Sequence, residues 1–286
     1  MPISVSSYNE IRASFIASPE NMIKIEKAYM DSLLKIILAA ADDLYRDFCA
    51  ATELGPFWLS YAPKQRGRQP MGTSIPWIEV GEKSLSFHLL KSILEANPSI
   101  GFPGLPFGGD VRFSTEDAFV HVDVKLTGPH DNPDEIVVPP QQISGDGAHW
   151  GSTAPNSTFN VVGPRARMPF QPKLPPFYIL GGKVLLCLTF FVKGIYRVEE
   201  YGIQPLDHME LICVPNGLLL FDTKNYARQR GLFIPGKDDR SKPAADKRTR
   251  IRLDPLCLSA GAWRCVKIEH REGGWVRTNR SLGETE

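Results

Sequence analysis

The run Ala118-Phe-Val-His-Val-Asp-Val-Lys-Leu126 alternates without a break: Val120, Val122 and Val124 fall on one side, and Phe119, His121, Asp123 and Lys125 on the other. Side chains repeat every second residue along an extended chain, so the run predicts a strand with an apolar valine face. The opposite face projects a carboxylate and an ammonium side by side. Asp110 lies one short connection upstream, and residues 110–113 predict a second strand that pairs with 118–126 as a hairpin. Two carboxylates converging beside a lysine can hold a divalent cation against a phosphate, an arrangement suited to metal-assisted hydrolysis of a phosphodiester.

The tripeptide is not unique in the chain. Asp222-Thr-Lys224 repeats the Asp-any-Lys pattern, with Glu210 upstream at a similar interval. For an isolated copy the plain reading is a solvated strand face carrying an ion pair. Context favours the first copy, because Asp123 and Lys125 interrupt a strand whose other face is apolar. Asp222 instead follows Leu218-Leu-Leu-Phe221 and marks the end of that run. His121 reads as a ligand or base, or more simply as a satisfied histidine on a strand. His149-Trp150 reads as a base-stacking pair or as packing. Gly-x-Gly-x-x-Gly, Walker and nucleophile-elbow patterns are absent from the sequence.

Organisation follows from punctuation. Ser18-Pro19-Glu20 reads as a helix start, with serine capping and proline at the first position. Apolar residues recur from Ile23 to about Leu54, predicting one long helix or two joined ones. A Pro/Gly-rich extended stretch is expected over 55–81, then an amphipathic helix over 82–97 stopped by Asn97-Pro98. Strands are expected over 177–180 and 183–193 around Gly181-Gly182, a strong hairpin signal. Further strands are expected over 209–214, 217–221 and 247–253. Helices precede strands instead of alternating with them, which predicts an α/β fold, a mixed central β-sheet flanked by helices. No linker divides the 286 residues, so a single domain over 1–286 is expected. Five cysteines without a Cys-x-x-Cys pair suggest buried free thiols in a cytoplasm. The start Met1-Pro-Ile-Ser-Val-Ser-Ser lacks a secretory pattern, and the apolar windows are about half a membrane span.

Net charge is +1, yet residues 224–254 hold ten Lys/Arg against four Asp. Within 247–253, Arg248, Arg250 and Arg252 share one face, and Thr249, Ile251 and Leu253 share the other. Arginines on a ribbon can donate paired hydrogen bonds to guanine O6 and N7, and an aspartate can accept from cytosine N4. Mixed cations and aspartates therefore suit G·C readout, whereas pure phosphate tracking needs only cations. A charged, soluble edge strand is the rival reading.

Pro56-Phe-Trp-Leu-Ser-Tyr61, Ile75-Pro-Trp-Ile-Glu-Val-Gly-Glu-Lys83, Gly104-Leu-Pro-Phe-Gly-Gly-Asp110 and Val122-Asp-Val-Lys125 with Gly128-Pro129 and Asp131 follow one another along the chain. Gly163-Pro-Arg165, Pro175-Pro-Phe-Tyr-Ile-Leu180, Val214-Pro-Asn-Gly217, Pro235-Gly-Lys-Asp-Asp-Arg240 and Lys247-Arg-Thr-Arg250 extend the series. On these segments, in this order, the chain resembles the BglI-type restriction endonucleases of the PD-(D/E)xK nuclease group. The resemblance implies a restriction-endonuclease-like core in a bacterial type II enzyme: a homodimer that cuts double-stranded DNA with Mg²⁺ at an interrupted G·C palindrome such as GCCNNNNNGGC. By position it implies metal-binding aspartates at Asp110 and Asp123, a catalytic lysine at Lys125 and a helix carboxylate at Glu82. It places base readers at Lys237, Asp239, Arg248 and Arg250, with Asp131 a further candidate. Gly109 departs from the proline of the family motif, a change expected to be tolerated. The Asp110–Asp123 connection is short, which raises Asp117 as a fallback, but at about 3.3 Å per residue Asp117 would lie about 20 Å from Asp123 on the same strand face, too far to share one ion, so Asp110 is kept. A silent DNA-binding protein and a structure-specific repair nuclease are the alternatives of the same fold.

Overall fold

A computed structural model describes residues 3–61, 77–96, 100–105, 108–128, 131–164, 167–197, 205–222, 231–236, 243 and 246–280. Helix α1 spans Val5–Ala17, α2 Pro19–Tyr61 and α3 Trp77–Ala96. In α2 the buried residues Met22, Met30, Leu33, Ile37, Ala41, Leu44 and Phe48 recur at intervals that keep them on one stripe. That stripe gives the long helix a face to lay on a sheet. Leu85, Leu89 and Ile93 do the same for α3, and both helices join one core with the valines of the alternating run.

The sheet is mixed, as expected. Its order runs β1 (Val111–Ser114), β2 (Ala118–Thr127), β7 (Lys183–Tyr196), β8 (Leu206–Val214), β11 (Cys265–Arg271) and β12 (Gly274–Asn279), with β6 (Phe177–Leu180) also on β7. β2 and β7 are parallel, and the other neighbours are antiparallel. Alternation along β7 and β8 separates two cores. Leu188, Phe190, Val192, Leu211 and Cys213 face the helices. Phe191, Ile212 and Val214 face a second layer. That layer holds a sheet ordered β3 (Glu135–Val138), β10 (Thr249–Arg252), β9 (Phe233–Pro235), a ribbon of β4 (Phe159–Val162) and β5 (Arg167–Phe170), and α4 (Leu253–Ala260).

β2 is buried on both faces as far as Val124, which excludes the solvated-face alternative for Asp123. Several expectations are corrected. Residues 217–221 form no strand: Leu218–Asp222 turns as a π-helix whose three leucines are all buried. Residues 55–61 continue α2, and α3 begins at Trp77, so Glu82 sits in its second turn instead of at its start. β10 stops at Arg252, where α4 takes over. Helix α1 and the hairpin of β11 and β12 were not anticipated.

Candidate active site and nucleic-acid interface

The β1–β2 hairpin pairs Val111 with Val122, so the next position sets Asp110 opposite Asp123. The Val124 N–H donates to Asp110 Oδ2 at 2.8 Å, which locks that carboxylate against the strand. Gly109 is required for this approach. A Cβ there would lie 2.5 Å from Val122 O and 2.6 Å from its carbonyl carbon, so a proline could not occupy the position without moving the hairpin. Asp117, the fallback, is removed to the far end of β2, where the Tyr29 hydroxyl donates to it at 2.6 Å.

Asp123 is only 3% exposed. Lys125 Nζ stands 2.5 Å from its Oδ2 and 5.8 Å over the Phe191 ring. Gln142, on a 3₁₀ turn over Pro140–Gln142, joins the pair: its amide N–H₂ donates to Asp123 Oδ1, and its Oε1 accepts from Lys125 Nζ at 3.1 Å. Glu82 reaches the site from α3. The helix comes in close because Gly81 has no side chain; a Cβ there would lie 2.4 Å from Leu126 Cδ1.

Burial pushes the Asp123 carboxyl up to about 6, against the pull of Lys125 and with further upward pressure from Asp110 and Glu82. Burial also raises Glu82, with Asp110 adding to the rise and Lys125 opposing it. Three carboxylates thus repel one another around a single lysine, a crowding that a cation relieves. No three His, Cys, Asp or Glu side chains among the described residues already form a ligand cluster. A two-carboxylate site is nevertheless what Mg²⁺ uses when substrate phosphate and water complete its shell. Asp123 Oδ2, buried without a hydrogen bond of good geometry, fits that use.

The second Asp-any-Lys copy is differently employed. Glu210 is buried against Lys193 at 3.7 Å and is paired with Arg280 Nη1. Arg280 also donates to Asp134 Oδ1 at 2.6 Å and to Asp254 Oδ1 at 3.2 Å. This network ties β7 and β8 to the loop before β3 and to α4. Lys224 lies outside the described residues. His121 is a core histidine: its Nε2 lies 3.0 Å from the Tyr178 hydroxyl, and burial holds the ring neutral, its pKa lowered to about 3. Trp150 packs, stacking on Tyr8 with centroids 4.3 Å apart.

β10 has the expected two faces. Thr249 and Ile251 are buried, while Arg250 and Arg252 are partly exposed. Arg250 Nη1 donates to Glu135 Oε2 on the adjacent strand at 2.9 Å, which orients its guanidinium. Arg248 precedes the strand and is half-buried. Asp131 is exposed on the loop after β2, where its Oδ2 accepts from Gly128 N at 3.3 Å. Lys237 and Asp239 lie outside the described residues. Gln142 escaped the sequence reading, since nothing in a glutamine after two prolines marks it as a partner for residues 17 and 19 positions earlier.

The family model for the restriction endonuclease BglI matches residues 4–268. The chain is 34% identical over 275 residues to the type II restriction enzyme BglI of Bacillus subtilis, covering 87% of this chain and 92% of that protein. It superposes on the crystal structure of the restriction endonuclease BglI bound to its DNA recognition sequence with a TM-score of 0.81, covering 92% of this chain and 96% of that one. The tetrameric restriction endonuclease SfiI bound to cognate DNA shares the fold at 13% identity, with a TM-score of 0.58 and coverage of 92% and 95%.

Proposed function

The chain belongs to the BglI family of type II restriction endonucleases, and we propose that it cuts double-stranded DNA at an interrupted G·C palindrome using Mg²⁺ held by Asp110 and Asp123. What carries this reading is the buried Asp123 carboxylate, set opposite Asp110 and touching Lys125. A bound Mg²⁺ supplies Lewis-acid neutralisation of the phosphate and eases loss of the leaving oxygen.

The chain's own groups do the rest. Asp110 and Asp123 would hold the ion. Lys125 Nζ donates toward a nonbridging phosphate oxygen and positions the attacking water. Glu82 adds negative charge from the α3 side and can accept a proton from that water. The water oxygen bonds to phosphorus, the P–O3′ bond breaks, and O3′ takes a proton from solvent. The products are a 5′-phosphate and a 3′-hydroxyl. Arg248 and Arg250, with Lys237, Asp239 and Asp131, read the bases of a site of the form GCCNNNNNGGC. A homodimer, whose twofold axis matches the palindrome, brings one such centre to each strand. A bacterial cytoplasm suits the five free cysteines, and no helix among the described residues is long and apolar enough to cross a membrane.

Digestion of plasmid DNA of known sequence tests this reading. Discrete fragments are expected with Mg²⁺ and none with EDTA, and the mapped ends give the site and the cut position. Specific binding without cutting in Mg²⁺ or Mn²⁺ would make the protein a silent DNA binder. Cutting confined to branched or damaged DNA would make it a repair nuclease.

A further inference from the structure

We infer that Gln142 is a positioning residue for cleavage, whose amide holds Lys125 and the Asp123 carboxylate in one fixed arrangement. The inference rests on the catalytic reading above. Its basis is a closed ring of three side chains: the Gln142 amide donates to Asp123 Oδ1, Gln142 Oε1 accepts from Lys125 Nζ at 3.1 Å, and Nζ returns to Asp123 Oδ2 at 2.5 Å. Only a group with a donor and an acceptor on one plane can close that ring. An amide does so without adding a fourth negative charge beside Asp110, Asp123 and Glu82.

The turn that presents the amide is itself held. Gln142 N donates to Pro139 O at 3.1 Å, and Lys173 N donates to Pro140 O at 2.9 Å. Ile143, the next residue, is fully buried in the second core together with Ile136 and Val138 of β3. β3 is laddered to β10, with Val137 paired to Arg250. The amide is therefore delivered to Asp123 and Lys125 by the turn that follows the strand beside the proposed base-reading strand. Lysine is a flexible point charge, and it loses its fixed aim once a fixed acceptor is removed. Outer partners of this kind typically contribute 10–100-fold in activity or metal affinity.

The test uses full-length protein and a DNA fragment carrying the site mapped by digestion. Gln142→Met keeps the length and packing of the side chain but neither hydrogen bond. Its single-turnover cleavage rate in Mg²⁺ is expected to fall about 10–100-fold. Affinity for the same fragment in Ca²⁺ is expected to stay at the wild-type value, and the urea midpoint to fall only modestly, since Asp123 loses one donor but keeps Lys125. Asp123→Asn is run alongside and is expected to abolish cutting. If Asp123→Asn is inactive while Gln142→Met cuts at the wild-type rate, the positioning role is overturned. A parallel loss of DNA affinity, or a variant unfolded under the assay conditions, would equally overturn it, by making Gln142 a binding or scaffold residue. If Asp123→Asn cuts normally, the catalytic reading beneath it fails instead.

Discussion

Glu26 and Arg264 form an ion pair whose side chains are each 1% exposed, with Nη2 2.6 Å from Oε2. Glu26 lies on α2 and Arg264 on the turn before β11, so the pair pins the long helix to the sheet. Glu26 Oε1 also accepts from Asn216 N at 2.6 Å. Arg264 donates to Ala260 O at 3.2 Å and lies 4.3 Å over the Trp263 ring. Arg264→Met retains most of the volume but strands a buried carboxylate with one backbone donor. Removing one partner of such a pair costs about 3–5 kcal/mol, and the remaining Asn216 contact places this case toward the lower end. The penalty depends on pH. Burial raises the Glu26 carboxyl above its ordinary range, and Arg264 opposes that rise. Without Arg264 the folded value climbs further. A raised carboxyl contributes stability in full below its unfolded pKa and loses it as pH rises through the folded value. The deficit of Arg264→Met is therefore largest at pH 8 and shrinks toward pH 5, as Glu26 takes up a proton. Urea unfolding at both pH values, at one fixed protein concentration, measures it, and Glu26→Leu combined with Arg264→Met should regain much of the loss. A deficit below about 1 kcal/mol at pH 8, or one that does not change with pH, would refute this reasoning.

Three further outcomes are expected. Arg248→Ala should cost about 1–3 kcal/mol of discrimination at one guanine, measured by competition binding in Ca²⁺; equal losses on specific and random DNA would make it a phosphate contact. Gly109→Ala forces a Cβ to within 2.5 Å of Val122 O, so it should destabilise by about 1–3 kcal/mol and lower the cleavage rate together, as Asp110 shifts from Asp123. Unchanged melting and cutting would show that the hairpin yields freely. Arg280→Met leaves Glu210, Asp134 and Asp254 short of their shared cation. Its thermal unfolding should reflect a loss of at least about 1–3 kcal/mol, and a wild-type melting curve would count against the network.

The polar pair at the centre was legible because it breaks an otherwise apolar two-residue rhythm. Asp123 and Lys125 flank Val124 and share the face opposite the valines, a two-residue spacing that fits a strand. The Gly181-Gly182 hairpin was legible for a local reason too, since both glycines take positive φ, 58° and 80°. Leu218-Leu-Leu-Phe221 was not, because a short apolar run buried on every side has no period to separate strand from helix. The hairpin of β11 and β12 did leave a signal: Val266 and Ile268 alternate with Lys267 and Glu269 ahead of Gly273-Gly274, the pattern that identified β2. Helix α1 carries little periodicity and buries only Tyr8, so its placement depends on tertiary contacts such as the stack on Trp150. Gln142 was invisible for the same reason, as its role exists only once β3 brings it back to β2.

The most direct measurement is anomalous scattering from Mn²⁺ in crystals of the protein bound to its mapped DNA site. Density is expected between the Asp110 and Asp123 carboxylates, beside the scissile phosphate and within reach of Lys125. An empty position there, with ions gathered instead around Glu210 and Asp222, would contradict the assignment of the cutting centre.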